Sequence, residues 1–257
     1  MTEPSPRSRR TAPWTVPIPG HRGGLMSETI ERAYPHAPTA DDAPLDTAAL
    51  AVCTTVLQQG AADLRRRFGP VLGEAVVDRQ IEDSLEELRR SGVPRTHRES
   101  TAIHFAESRL LALAETTGVV EPSVPRVLFV CLQNAGRSQL AAALLAERAG
   151  DAVRVSSAGS RPTPEVHDDV APVLSEIGAD PAAAYPKPVT PELLAAADYV
   201  ISLGCSDECR ERTGVEVRDW PVGDPAEADW ERLQEIVADI ERRVDALWAE
   251  IQGRFAA

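Results

Sequence analysis

The chain has 257 residues, with 27 Lys and Arg against 40 Asp and Glu for a formal charge of -13, and 43% of its residues are hydrophobic. At about 100 to 200 residues per domain, that length predicts one large domain or two small ones. The charge argues against a nucleic-acid partner, and no apolar run approaches the roughly 20 residues that cross a bilayer or forms a signal peptide, so a cytoplasmic protein with no membrane partner is expected.

Residues 1–44 hold eight prolines and no sustained apolar periodicity, and read as a disordered tail. Four arginines face one Glu in its first 25 residues, and Met26 is an alternative start to Met1. From 45 to 118 the period becomes helical. Leu50, Cys53, Leu57, Ala61, Leu64 and Phe68 form one apolar stripe, which Gly69-Pro70 is expected to end. Val77, Ile81, Leu85 and Leu88 mark a second helix, closed by Gly92 and Pro94, and Ile103, Ala106, Leu110 and Leu113 a third. Together they predict a three-helix bundle, with Cys53 as a core residue. Residues 119–125 read as a linker.

After Pro125 strands alternate with helices. Val127 to Val130 is a continuous apolar run, as in a strand buried on both faces of a parallel sheet. Further strands are expected at 153–155, 199–203 and 215–219, and helices at 139–148, 168–177, 191–197 and from Trp230 to Ile251. The pattern is that of an α/β fold, a four-stranded parallel doubly wound sheet over 126–257 preceded by the all-α bundle.

Ligands of such sheets bind beyond the carboxyl ends of the strands. Cys131 follows the first strand, Cys205 the third and Asp224 the fourth, so topology gathers the three on one edge. The loop Cys131-Leu132-Gln133-Asn134-Ala135-Gly136-Arg137-Ser138 runs from strand into helix. Its amides and the helix N-terminus suit a tetrahedral oxyanion, and the Arg137 fork can clamp two oxygens. That positive setting is expected to hold Cys131 as the thiolate, the nucleophilic form. Ser138 can donate to the sulfur, and Asn134 can brace the loop. Asp224-Pro225 is placed for proton transfer. A zinc site at Cys205 and Cys209 lacks a second ligand pair, so no metal is expected. The only lysine is Lys187 and every other basic residue is arginine, which reads as a codon bias.

Cys131 to Ser138, Ser157-Ala158-Gly159-Ser160 and Asp224-Pro225 resemble the low-molecular-weight tyrosine phosphatase family over 126 to about 252. Gly204-Cys205-Ser206-Asp207-Glu208-Cys209 resembles the segment that sets thioredoxin-coupled arsenate reductases apart within it, although that family usually has Gly at Ser206 and Pro at Arg210. The helical region, especially Ala106 to Ala114, resembles the three-helix domain found before some of these reductases.

A phosphatase and an arsenate reductase share the attack of Cys131 on an oxyanion and then diverge. The phosphatase hydrolyses its thiophosphate with Asp224 as acid and base, whereas the reductase needs another thiol to attack Cys131 and supply two electrons. Cys205 lies on the correct edge. Cys209, four residues on, would have its Cα about 6 Å from that of Cys205 on one helix, within disulfide range but with strained side-chain directions. The resemblance implies a relay from Cys131 with arsenic to Cys131 with Cys205, then Cys205 with Cys209. Thioredoxin would reduce the last disulfide, so no bound cofactor is needed. Asp224 would deprotonate Cys205 or protonate the leaving oxygen. Ala226 and Glu227, where the phosphatases carry aromatics, weaken the phosphotyrosine reading. A small thiol such as mycothiol can replace thioredoxin as the reductant in this scheme. The same residues also suit a non-enzymatic redox or oxyanion sensor.

Overall fold

A computed structural model describes residues 46–181, 184–205 and 217–255, which belong to one compact unit. The predicted tail 1–44 lies outside the described residues, as does the segment 206–216 with Cys209.

Three helices come first: α1 (Thr47–Leu72), α2 (Glu74–Arg90) and α3 (Arg95–Thr116). Asp46 opens α1 by accepting the Ala49 N–H at 2.8 Å, satisfying a donor that a helix start leaves unpaired. Cys53, Ala61, Leu64 and Phe68 are buried as their spacing predicts, whereas Leu50 is 47% exposed. Helix α1 continues through Gly69-Pro70, where the sequence predicts its end. Pro70 sits in the last turn and removes a single intrahelical bond. The helix stops instead at Gly73, whose φ of +88° favours a residue without a side chain. Gly60 lets α1 and α3 approach closely, since an added Cβ would lie 2.6 Å from Ile103 Cγ1.

The sheet contains β1 (Arg126–Cys131), β2 (Arg154–Gly159), β3 (Tyr199–Ser202) and β4 (Val217–Asp219). All pairings are parallel, in the order β2-β1-β3-β4. The chain crosses between strands through α4 (Arg137–Ala149), α5 (Val170–Ile177) and α6 (Pro191–Ala196), and ends in α7 (Trp230–Phe255). Strand β2 is longer than its short apolar run predicts, because Ser156 to Gly159 pair with Leu128 to Cys131.

Alternation along β1 divides its side chains between two cores. Val127, Phe129 and Cys131 join α4, α5 and α7 on one face through Leu140, Leu144, Val173, Ile240 and Val244. Leu128 and Val130 join α3 and α6 on the other, with Phe105, Ala112, Leu193, Val200 and Cys205. Trp230, predicted on the buried stripe of α7, is instead 49% exposed at its start.

The second face also carries buried charge. Arg109 of α3 donates to Glu192 of α6 at 3.3 Å and to Ser84 of α2 at 3.2 Å, and Gln80 of α2 donates to the same Glu192 oxygen at 3.2 Å. Glu115 of α3 accepts from Arg126 at 3.2 Å and also from Arg154. A buried pair is net stabilising only with good geometry, but it costs heavily when one partner is lost. These pairs therefore fix the seating of the helical layer on the sheet. Among the described residues, no helix is long and apolar enough to cross a membrane.

Candidate active site

The site is built on the loop between β1 and α4, at the point where the sheet order reverses from β2 on one side of β1 to β3 on the other. Such a switch point opens a crevice beyond the strand ends. Cys131 closes β1 and is buried, and Asn134, Ala135, Arg137 and Ser138 are buried with it. Asn134 adopts φ +53°, a left-handed conformation that asparagine tolerates better than most residues. Its backbone N–H thereby points at the Cys131 sulfur, 3.2 Å away.

The hydrogen bonds around Asn134 have a fixed direction. The Lys187 backbone N–H, which can only donate, reaches Asn134 Oδ1 at 3.0 Å. The amide Nδ2 is thereby turned toward Ser138 Oγ, to which it donates at 2.8 Å. With one lone pair of Ser138 Oγ engaged, its hydrogen is free to point at Cys131 Sγ, 2.9 Å away. Gln139 locks the outer side by donating from Nε2 to Asn134 O and Tyr185 O, both at 3.0 Å.

The segment after β2 supplies a second backing. The N–H groups of Ser160, Arg161 and Thr163 donate to the carbonyls of Cys131, Leu132 and Gln133 at 3.1, 2.7 and 3.2 Å. These bonds turn the loop carbonyls outward, leaving N–H groups for an anion. Gly159 is required at this contact, because an added Cβ would lie 2.9 Å from Asn134 N and Leu132 O. His167 Nε2 bonds Gln133 Oε1 at 3.1 Å, and the His167 backbone N–H donates to Ala135 O at 3.0 Å.

Asp224 lies where topology predicts. Arg137 donates to its carboxylate at 2.8 Å, while Asp224 also accepts the Ala226 N–H at 3.2 Å to open a short 3-10 turn. Pro225 packs on the loop, for a Cβ added to Gly136 would meet its Cγ at 2.8 Å. On the other side Gly204, at φ +80°, approaches Arg137 so closely that a Cβ would lie 2.6 Å from the guanidinium. Cys205 is buried on the same edge, its thiol 3.5 Å from the carbonyl of Val130, the residue before Cys131, and 3.6 Å from Ser202 Oγ. Arg137 and Asp224 are thus in contact beside Cys131, Cys205 lies against the end of β1 at the residue before Cys131, and Cys209 lies outside the described residues. Among the described residues, no three His, Cys, Asp or Glu side chains gather as metal ligands.

Residues 126–256 match the family described as low molecular weight phosphotyrosine protein phosphatase. The chain belongs to this family. Residues 57–114 match a protein-tyrosine-phosphatase-like N-terminal domain, so the helical layer of this family member is itself of a recognised type. The chain is 39% identical over 128 residues to a "Putative arsenate reductase" of Halobacterium salinarum, covering 48% of this chain and 89% of the relative. The solved thioredoxin-dependent arsenate reductase of Corynebacterium glutamicum is similar at 41% identity, covering 77% of this chain and 98% of that one, with a TM-score of 0.68. A solved arginine phosphatase of Geobacillus stearothermophilus is similar at 27% identity over 51% of this chain and 94% of that one, with a TM-score of 0.47.

Several supports of this phosphatase-family site carry no signal of their own in the sequence. Gln139 and His167 read as ordinary helix and loop residues until the fold sets them against the loop. Lys187 stands out in the sequence only as the single lysine.

Proposed function

We propose that this chain reduces arsenate to arsenite, with Cys131 as nucleophile and Cys205 and Cys209 as the thiols that supply and export the electrons. The observation that carries this reading is the second cysteine beside the oxyanion loop, with Cys205 bonding the carbonyl next to Cys131. A phosphate-ester hydrolase of this family has no step that uses it. The similarity to arsenate reductases at 39% and 41% identity supports the same reading.

In the first step the Cys131 thiolate attacks arsenic, forming an S–As bond, and an arsenate oxygen leaves as water. Loop N–H groups and Arg137 hold the remaining oxygens, and Asp224 supplies a proton to the leaving oxygen. Arg137 forms an ion pair with Asp224, so an oxyanion in the loop competes with that carboxylate for the guanidinium. In the second step the Cys205 thiolate attacks Cys131 Sγ. The S–S bond forms as the S–As bond breaks, and its electron pair stays on arsenic, which leaves as arsenite in the +3 state. Cys209 then attacks Cys205, restoring the Cys131 thiolate and leaving a Cys205–Cys209 disulfide for thioredoxin to reduce. This sequence requires a reducing compartment, as expected of the cytoplasm.

The test is arsenate-dependent NADPH consumption with thioredoxin and its reductase, with mycothiol and its recycling enzymes as a parallel arm. Turnover in the thioredoxin arm supports the full relay. Turnover in the mycothiol arm alone removes Cys209 from it. Hydrolysis of an aryl phosphate without arsenate reduction in either arm contradicts the reductase and leaves the phosphatase.

A further inference from the structure

We propose that Lys187 is a positioning residue for this site, its backbone bracing Asn134 and its buried ammonium serving as a fixed countercharge for the tetrahedral oxyanion in the Cys131 loop. The inference rests on the oxyanion reading above. Both ends of the residue serve the loop. Its N–H fixes the Asn134 amide at 3.0 Å, and its carbonyl accepts the N–H of Gly159, the glycine against the loop, at 2.9 Å. The side chain turns inward behind β2, where Nζ donates to Ser157 Oγ at 3.4 Å and lies 4.4 Å from the centre of the Tyr185 ring. Ser157 pairs with Phe129 and Gly159 with Cys131, so the ammonium contacts β2 two residues, or about 7 Å, before the level of the nucleophile.

A buried ammonium is costly unless it is paired, yet among the described residues no carboxylate makes an ion pair with Lys187. Ser157 and the Tyr185 ring contact it, and Tyr185 stays neutral because its burial, reinforced by the nearby charge of Glu107, pushes the phenol up. Burial, with no charged neighbour contributing, pulls Lys187 down to about 8. A buried cation with no carboxylate partner, anchored on the strand that backs the anion loop, favours the occupied state over the empty one. By linkage, the oxyanion must then favour the ammonium by the same factor that the ammonium favours the oxyanion. For stability the sign is the reverse of a paired lysine. The folded-state value lies below the unfolded value of about 10.4, so stability rises with pH between about 8 and about 10.4.

Because the chain holds a single lysine, isotopically labelled lysine gives one side-chain NMR signal, whose pH midpoint can be followed without assignment. Inorganic sulfate is a suitable probe because it keeps its charge across the range, and Cys131→Ser removes the nucleophilic sulfur from the loop. In that variant, sulfate is expected to raise the Lys187 midpoint by about half a unit or more, with a matching loss of about threefold or more in sulfate affinity from pH 7 to pH 9.5. Adding Lys187→Met keeps the backbone brace and is expected to abolish that pH dependence. On the otherwise native chain, Lys187→Met is expected to raise the thermal midpoint at pH 7, where a side chain serving only the fold would lower it. Sulfate binding with an unchanged Lys187 midpoint, or a pH dependence that persists in Lys187→Met, would overturn the countercharge alone. No sulfate binding at pH 7 would overturn the oxyanion reading and the countercharge with it.

Discussion

The loop after β1 and the edge after β3 meet at one end of the same sheet, and they are held in different ways. Around the loop, Asn134, Ser138, Gln139, Lys187 and the segment from Ser160 to Thr163 set the direction of nearly every polar group. On the edge, Cys205 rests on Ser202 Oγ and the Val130 carbonyl, through sulfur contacts of 3.6 and 3.5 Å. The difference matches the two tasks proposed for them. A tetrahedral anion is bound best by donors that need no rearrangement, whereas thiol exchange requires one sulfur to close on another to about 2 Å. A preorganised anion-binding loop and the thiol proposed to attack Cys131 are therefore set side by side.

The largest expected effect comes from removing what both regions share. Cys131→Ser should lower arsenate reduction and aryl phosphate hydrolysis alike by roughly a thousandfold or more, measured as steady-state rates. Cys205→Ser should separate the regions, abolishing arsenate turnover while leaving phosphate affinity and any aryl phosphate hydrolysis within about twofold. Equal losses in both assays would mean that Cys205 serves the loop rather than the relay.

Smaller changes test the rigidity of the loop itself. Gly159→Ala forces a Cβ against the backbone at Asn134 and Leu132, both at 2.9 Å, and should cost about 1 to 3 kcal/mol in urea unfolding. The same variant should lower kcat/KM about tenfold through misplaced donors. Ser138→Ala removes the hydroxyl 2.9 Å from the nucleophile and should lower the rate of the first attack about tenfold in single-turnover experiments. Gly204→Ala should have the mildest effect, about 1 kcal/mol from the positive φ. Its Cβ meets the Arg137 guanidinium, which must shift to admit it, so phosphate affinity should fall by about fivefold.

How much of this is legible in the sequence follows from the range of each signal. The apolar run at β1, the loop up to Ser138 and the order of Cys131, Cys205 and Asp224 along a parallel sheet are local or topological, and the fold places them together. The extent of α1 is misread from Gly69-Pro70 because a proline in the last turn removes only one hydrogen bond. Helix α3 shows one stripe in its spacing but is buried on two sides. Phe105 and Ala112 face the sheet while Ala106 and Leu110 face the other helices, and two opposed faces blur a single period. Lys187 is invisible as a site residue because its role depends on a backbone N–H and on burial by distant strands, neither of which leaves a sequence pattern.

In the proposed relay, electrons reach arsenic from a second thiol through Cys131. Peptide mass spectrometry of Cys209→Ser after exposure to arsenate, with thiols trapped by alkylation, tests it most directly. A Cys131–Cys205 disulfide formed only with arsenate is the predicted result. Cys131 and Cys205 recovered as alkylated thiols, or normal thioredoxin-coupled turnover by the variant, would contradict the relay.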